Sequence, residues 1–117
     1  LTEACELVVN LKGDATITLS NDKGEKVVMS YEAKNEKFSM DRTQSGKTDF
    51  SNEFAATTSA PTYGKLSQLR IFIDKSSVEA IDAEGKMAMT NLVFPTKPYN
   101  KVTVKGKGKY VVYNLKK

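Results

Sequence analysis

LRIFIDKSSVEAIDAEGKMAMTNLVFP, residues 69–95, carries three strand signals separated by two turn signals. Successive side chains of a strand point to opposite faces, so Leu69, Ile71 and Ile73 share one side and Arg70 and Phe72 the other. Asp74-Lys75-Ser76-Ser77 interrupts the apolar run with short oxygen-bearing side chains that accept backbone N–H groups, the chemistry of a tight turn. Val78 to Ile81 reads as the returning strand and Asp82-Ala83-Glu84-Gly85 as the second turn. Residues 86–94 form a third strand closed by Pro95. The spacing predicts an antiparallel meander whose middle strand carries one charge, Glu79.

The same period of two extends toward the N-terminus. Cys5, Leu7, Val9 and Leu11 alternate with polar residues, Val8 excepted, and Gly13-Asp14 is predicted to turn the chain. Ala15, Ile17 and Leu19 then face inward as a second strand, and Asn21-Asp22-Lys23-Gly24 has the composition of a hairpin turn. Val27, Met29 and Tyr31 continue inward. After a turn at Ala33-Lys34-Asn35-Glu36, Phe38 and Met40 complete a fourth strand. Residues 42–65 lose the alternation and are rich in Ser and Thr. They predict a crossover between sheets pinned by Phe50 and Phe54, or a docking or ligand-contacting loop led by Arg42, Asp49 and Tyr63. Past Pro95 and Pro98 the alternation resumes at Tyr99, Val102 and Val104. Residues 105–109 read as a flexible turn before a last strand over 110–115. Short strands at regular intervals without helical periodicity predict an all-β chain. The expected fold is a two-sheet antiparallel β-sandwich (jelly-roll or concanavalin-like), one domain over residues 1–117, with Leu69, Ile71, Ile73, Val78 and Met87 in its inter-sheet core.

Composition removes several function classes. With no histidine in 117 residues, imidazole-based dyads and triads are excluded. The single cysteine, Cys5, cannot form an internal disulfide, and there is no Cys/His set for a metal. No apolar run approaches the roughly 20 residues of a membrane helix. The net charge is +4, and residues 85–117 hold eight lysines and no acid. Lysines at alternate strand positions blunt a sheet edge, and with only two arginines, Arg42 and Arg70, nucleic acid is not an expected partner. Asp74 and Glu79 flank a turn as a paired-carboxylate candidate. However, Asp74 sits where an Asx turn needs its acceptor and Glu79 is close to lysine-bearing turns, so both read as structural.

Residues 71–85, IFIDKSSVEAIDAEG, followed by TNLVFP at 90–95, resemble the signature of the C-terminal β-sandwich module of glycoside hydrolase family 32, the β-fructosidases. An upstream segment, MDRTQSGKTDFSNEF at 40–54, resembles the D-R-[ST]-x-S-G segment of the same module. The chain departs from the family at Ala80-Ile81-Asp82, where an apolar or aromatic run is usual. The resemblance implies a piece of a longer, extracytoplasmic bacterial glycosidase. Its catalytic carboxylates would reside in an N-terminal β-propeller within W-M-N-D-P, R-D-P and E-C-P motifs, none of which occurs here. The module itself would have no catalytic residue and no cofactor. It would pack on and stabilise that propeller, with Asp41, Arg42, Asp74, Ser76, Ser77 and Glu79 as signature and possible interface residues. The alternative is a fructan-binding module that takes oligosaccharides through Tyr63, Tyr99 and Tyr110, since sugar platforms present aromatic faces.

Overall fold

The computed structural model describes residues 5–46, 57–74, 76–85, 87–93, 95, 97 and 99–114, the last eight by their backbone. Eight strands follow one another: β1 (Cys5–Ser20), β2 (Lys26–Glu32), β3 (Lys37–Asp41), β4 (Thr57–Pro61), β5 (Gln68–Ile73), β6 (Ser77–Asp82), β7 (Ala88–Leu92) and β8 (Lys101–Asn114). All pairings are antiparallel, in the order β4-β3-β2-β1-β5-β6-β7.

The two layers of the sandwich come from one ribbon. β8 pairs with β1 from Cys5↔Asn114 to Ser20↔Lys101. β5 pairs along the first half of β1 (Cys5↔Ile73 to Asn10↔Gln68) and β2 along its second half (Ala15↔Tyr31 to Ser20↔Lys26). Each half of the β1–β8 ribbon therefore founds a layer, β2-β3-β4 on one and β5-β6-β7 on the other. The alternation predicted for the apolar residues holds: Leu7, Val9, Ile17, Leu19, Val27, Met29, Phe38 and Met40 are fully buried. So are Leu69, Ile71 and Val78, with Ile73 and Met87 nearly so. Those side chains meet in one core, and burying each isoleucine or leucine contributes about 1.5–3 kcal/mol.

Four local expectations need correction. Gly13-Asp14 does not turn the chain. Leu11 lies opposite Gly108 and Ala15 opposite Gly106, so Lys12, Gly13 and Asp14 form a bulge inside a continuous β1. The bulge is held from outside the ribbon, by Leu11 N–H on Ser67 O (2.8 Å) and by Ala33 N–H on Asp14 Oδ1 (2.8 Å). Residues 105–109 are likewise not a turn; they lie within β8, because β1 offers a partner edge along their whole length. β4, TTSAP, was expected to be loop, having no buried alternation of its own; it is a strand because β3 presents a free edge to it. Asp82 both ends β6 and opens the expected turn, the Gly85 N–H donating to its carbonyl (3.0 Å), and it is buried. The third meander strand is shorter than expected, Ala88–Leu92. Asp49, Phe50 and Phe54 lie outside the described residues.

Candidate functional site

Both signature stretches meet at one end of the sandwich. At the end of β3, Asp41 Oδ1 accepts the Thr43 N–H (2.9 Å) and hydroxyl (2.7 Å), an Asx turn that reverses the chain. Arg42, next in line, sends Nη1 to the carbonyl of Leu92 at the end of β7 (3.0 Å), bridging the two layers. Its own carbonyl receives the N–H (3.1 Å) and Oγ (2.7 Å) of the fully buried Ser45. The Ser45 carbonyl in turn accepts the Tyr99 hydroxyl. One residue beyond the Arg42 contact, Val93 N–H donates to Ser76 O (3.0 Å), while Asp74 N–H donates to Ser77 O (3.0 Å) and closes the β5–β6 turn. Arg42, Asp74, Ser76 and Ser77 are thus brought to the same end through residues 92–93. Their described contacts fasten turns to strands.

Glu79 stands apart from that cluster. It lies half-buried on the outer surface of β6, between Phe72 of β5 and Thr90 of β7, and Thr90 Oγ1 donates to its Oε2 (3.1 Å). Asp74 is exposed in the β5–β6 turn, and Glu79 faces the Thr90 hydroxyl. Among the described residues no group of three His, Cys, Asp or Glu is placed to hold a metal ion.

The three tyrosines proposed for sugar contact fall in different places. Tyr63 is 74% exposed in the β4–β5 loop at the other end of the sandwich. Tyr99 is 2% exposed, a core residue whose ring has no face left for a ligand. Tyr110 pairs with Val9 in the β1–β8 ladder. Burial, followed by the nearby Glu25 carboxylate, pushes the Tyr99 phenol above the ordinary tyrosine range. A raised folded-state pKa means that the neutral phenol stabilises the fold below the unfolded value of about 10 and that this contribution is lost above it. Relative to Tyr99→Phe, the natural chain should lose up to about 1.4 kcal/mol per pH unit above pH ~10 in chemical denaturation. Parallel curves for the two proteins would show that Tyr99 ionises freely in the folded state.

Sequence reasoning missed two buried amides that tie distant strands. Asn91, 6% exposed on β7, donates to Thr58 Oγ1 (3.0 Å) and Met40 Sδ (3.2 Å) across the core. Asn21 was legible as a turn residue, but its bond to the Lys97 carbonyl (2.8 Å) was not. A polar residue at an inward position, as at Asn91, was the only signal.

An antiparallel sandwich formed on a shared bent ribbon, with D-R-T-x-S-G and D-x-S-S turns locked at one end, defines a class of all-β domain. The family model described as Glycosyl hydrolases family 32 C terminal matches residues 4–116, and the chain belongs to that family. It is 35% identical over 79 residues to a levanase from Bacillus sp. (strain L7), covering 66% of this chain and 9% of the levanase. It is 32% identical over 114 residues to a sucrose-6-phosphate hydrolase from Vibrio alginolyticus, covering 97% of this chain and 23% of that protein. The crystal structure of exo-inulinase from Aspergillus awamori superimposes with a TM-score of 0.85 at 22% identity, over 97% of this chain and 25% of the inulinase. The chain therefore spans a quarter or less of each of these proteins.

Proposed function

We propose that this domain is a non-catalytic C-terminal module that packs on and stabilises the β-propeller catalytic domain of a fructan- or sucrose-hydrolysing enzyme. The observation that carries this reading is the small share of each relative that the chain covers, 9% to 25%, which leaves the bulk of a hydrolase for the reacting groups. The local chemistry agrees: Asp41 caps a turn, Glu6 pairs with Arg70, and Glu79 takes a hydroxyl. Acting on polymeric fructans would place the parent enzyme outside the cytoplasm. The isolated chain, incubated with levan, inulin or sucrose, should release no fructose, whereas deleting it from the parent should lower the parent's unfolding temperature. Fructose release by the chain alone would overturn the proposal.

A fructan-binding role is favoured by one other observation. The outer surface of the first layer holds a groove of about 640 Å³ whose lining includes Thr16, Ser30 and Ser39 together with Asp14, Glu32 and Lys105. Calorimetric titration with fructo-oligosaccharides separates the readings. Saturable heat at millimolar ligand supports sugar binding, and its absence leaves the packing role.

A further inference from the structure

The two outer surfaces of the sandwich differ in chemistry. On the first layer, one row across five strands reads Lys105, Thr16, Ser30, Ser39 and Ser59, and its neighbour reads Thr103, Thr18, Val28, Asp41 and Thr57. Hydroxyls and charges dominate both, and Ser39 and Ser59 hydrogen-bond to each other at 3.1 Å. On the second layer the corresponding rows read Glu6, Phe72, Glu79, Thr90 and Val8, Arg70, Ile81, Ala88. Phe72, Ile81 and Val8 point outward and stay partly exposed, and Leu92, beside Ser77, is 52% exposed. An outward phenylalanine, isoleucine, valine and leucine make this the more apolar of the two outer faces, and large apolar surfaces on soluble domains mark contact sites. The charged groups among them are already arranged. Arg70 is bonded to Glu6 through Nε and lies over the Phe72 ring, 5.5 Å from its centroid. Ordering a guanidinium on an aromatic face before association lowers the entropic cost of burying it.

We propose that the outer face of β5, β6, β7 and the first half of β1 is the surface on which the catalytic part of the same polypeptide packs. This assignment rests on the accessory-module reading above and adds to it which side of the sandwich is covered. The occupant is identified by what the relatives contain beyond this chain, since three quarters or more of each lies outside the matched region. Its chemistry follows from the face: apolar side chains against Phe72, Ile81 and Leu92, and an N–H donor or cation opposite Glu79, whose described partner is a single hydroxyl. A half-buried carboxylate carried into an interface needs such a donor. The hydroxyl-lined face of the first layer remains in solvent.

Thiol labelling of the full-length polypeptide tests this. Thr90→Cys and Ser59→Cys place single exposed thiols at the β7 end of one row and the β4 end of the other, while Cys5 is buried. Reaction with a maleimide, followed peptide by peptide by mass spectrometry, should modify Cys at position 59 at least tenfold faster than at position 90. The opposite ratio would show that the catalytic part covers the first layer, overturning the face assignment while leaving the accessory-module reading intact. Equally fast labelling at both positions would mean that neither face is covered, and the packing reading would fall with it.

Discussion

Replacing Asn21 by alanine is expected to destabilise the domain by about 3 kcal/mol, lowering the thermal midpoint by roughly 10–15 °C. Asn21 is 5% exposed and uses both ends of its amide. Oδ1 accepts the N–H groups of Lys23 (3.0 Å) and Glu25 (3.2 Å), shaping the β1–β2 turn. Nδ2 donates to Glu25 Oε1 (2.9 Å) and to the Lys97 carbonyl, tying that turn to the connector that feeds β8. Truncation leaves two N–H groups and one carbonyl short of a partner in a partly buried site, which costs more than the net worth of the bonds themselves. Asn21→Asp keeps the acceptor but removes both donations and sets a carboxylate beside Glu25, so it should not rescue. A midpoint within about 2 °C of the natural chain in either variant would show that the amide is dispensable, since that shift corresponds to well under 1 kcal/mol.

A comparable loss, on the order of 3 kcal/mol, is expected for Gly106→Ala. Gly106 sits in β8 opposite the β1 bulge, at φ 104°. A Cβ there would stand 2.4 Å from the carbonyl oxygen of Asp14 and 3.0 Å from the Cα of Ala15. Both are backbone atoms and cannot rotate away, so either the bulge or the β1–β8 pairing must shift. Gly24→Ala is the matched control: its φ is also positive (79°), but nothing lies within 4 Å of the added carbon. It should cost only the backbone term, about 1 kcal/mol. Urea unfolding of the two variants separates steric from conformational cost. Equal losses would mean that the ribbon yields at the bulge without penalty.

The bulge beside Gly106 also shows where sequence reading stops. Gly13-Asp14 and the Gly-Lys repeat at 105–109 have turn composition, and taken alone each would break a strand. They lie opposite one another, and the extra residues of β1 are absorbed by a bend that carries the ribbon from one layer into the other. β4 was hidden for a related reason: TTSAP offers only the small Ala60 to pack against the core, so little in it announces a strand until β3 supplies an edge. Val8 and Phe72 looked like lapses or neutral outward positions in the pattern, and on the folded sheet they fall in adjacent rows of one surface.

The signature residues divide in the same way. Asp41 was expected only as a signature and possible interface residue, and the structure shows it capping an Asx turn made within two residues. That Arg42 reaches Leu92, and that Tyr99 closes over Ser45, was not readable in the sequence, since those partners lie 50 and 54 residues away. Tyr63 and Tyr99 are the same residue type in similarly polar surroundings, yet one is the most exposed aromatic described and the other is core.

The order of the amino acids alone decided which side chains turn inward, because the two-residue period of a strand is a local property that core burial then selects. It also decided the hairpin turns at 21–24 and 33–36 and the membership of the family. Folding decided which edges pair, where the ribbon bends, and which outer face gathers Val8, Phe72, Ile81 and Leu92. Those choices are made by backbone hydrogen bonds between segments far apart in the chain, and every strand offers the same donors and acceptors whatever its side chains.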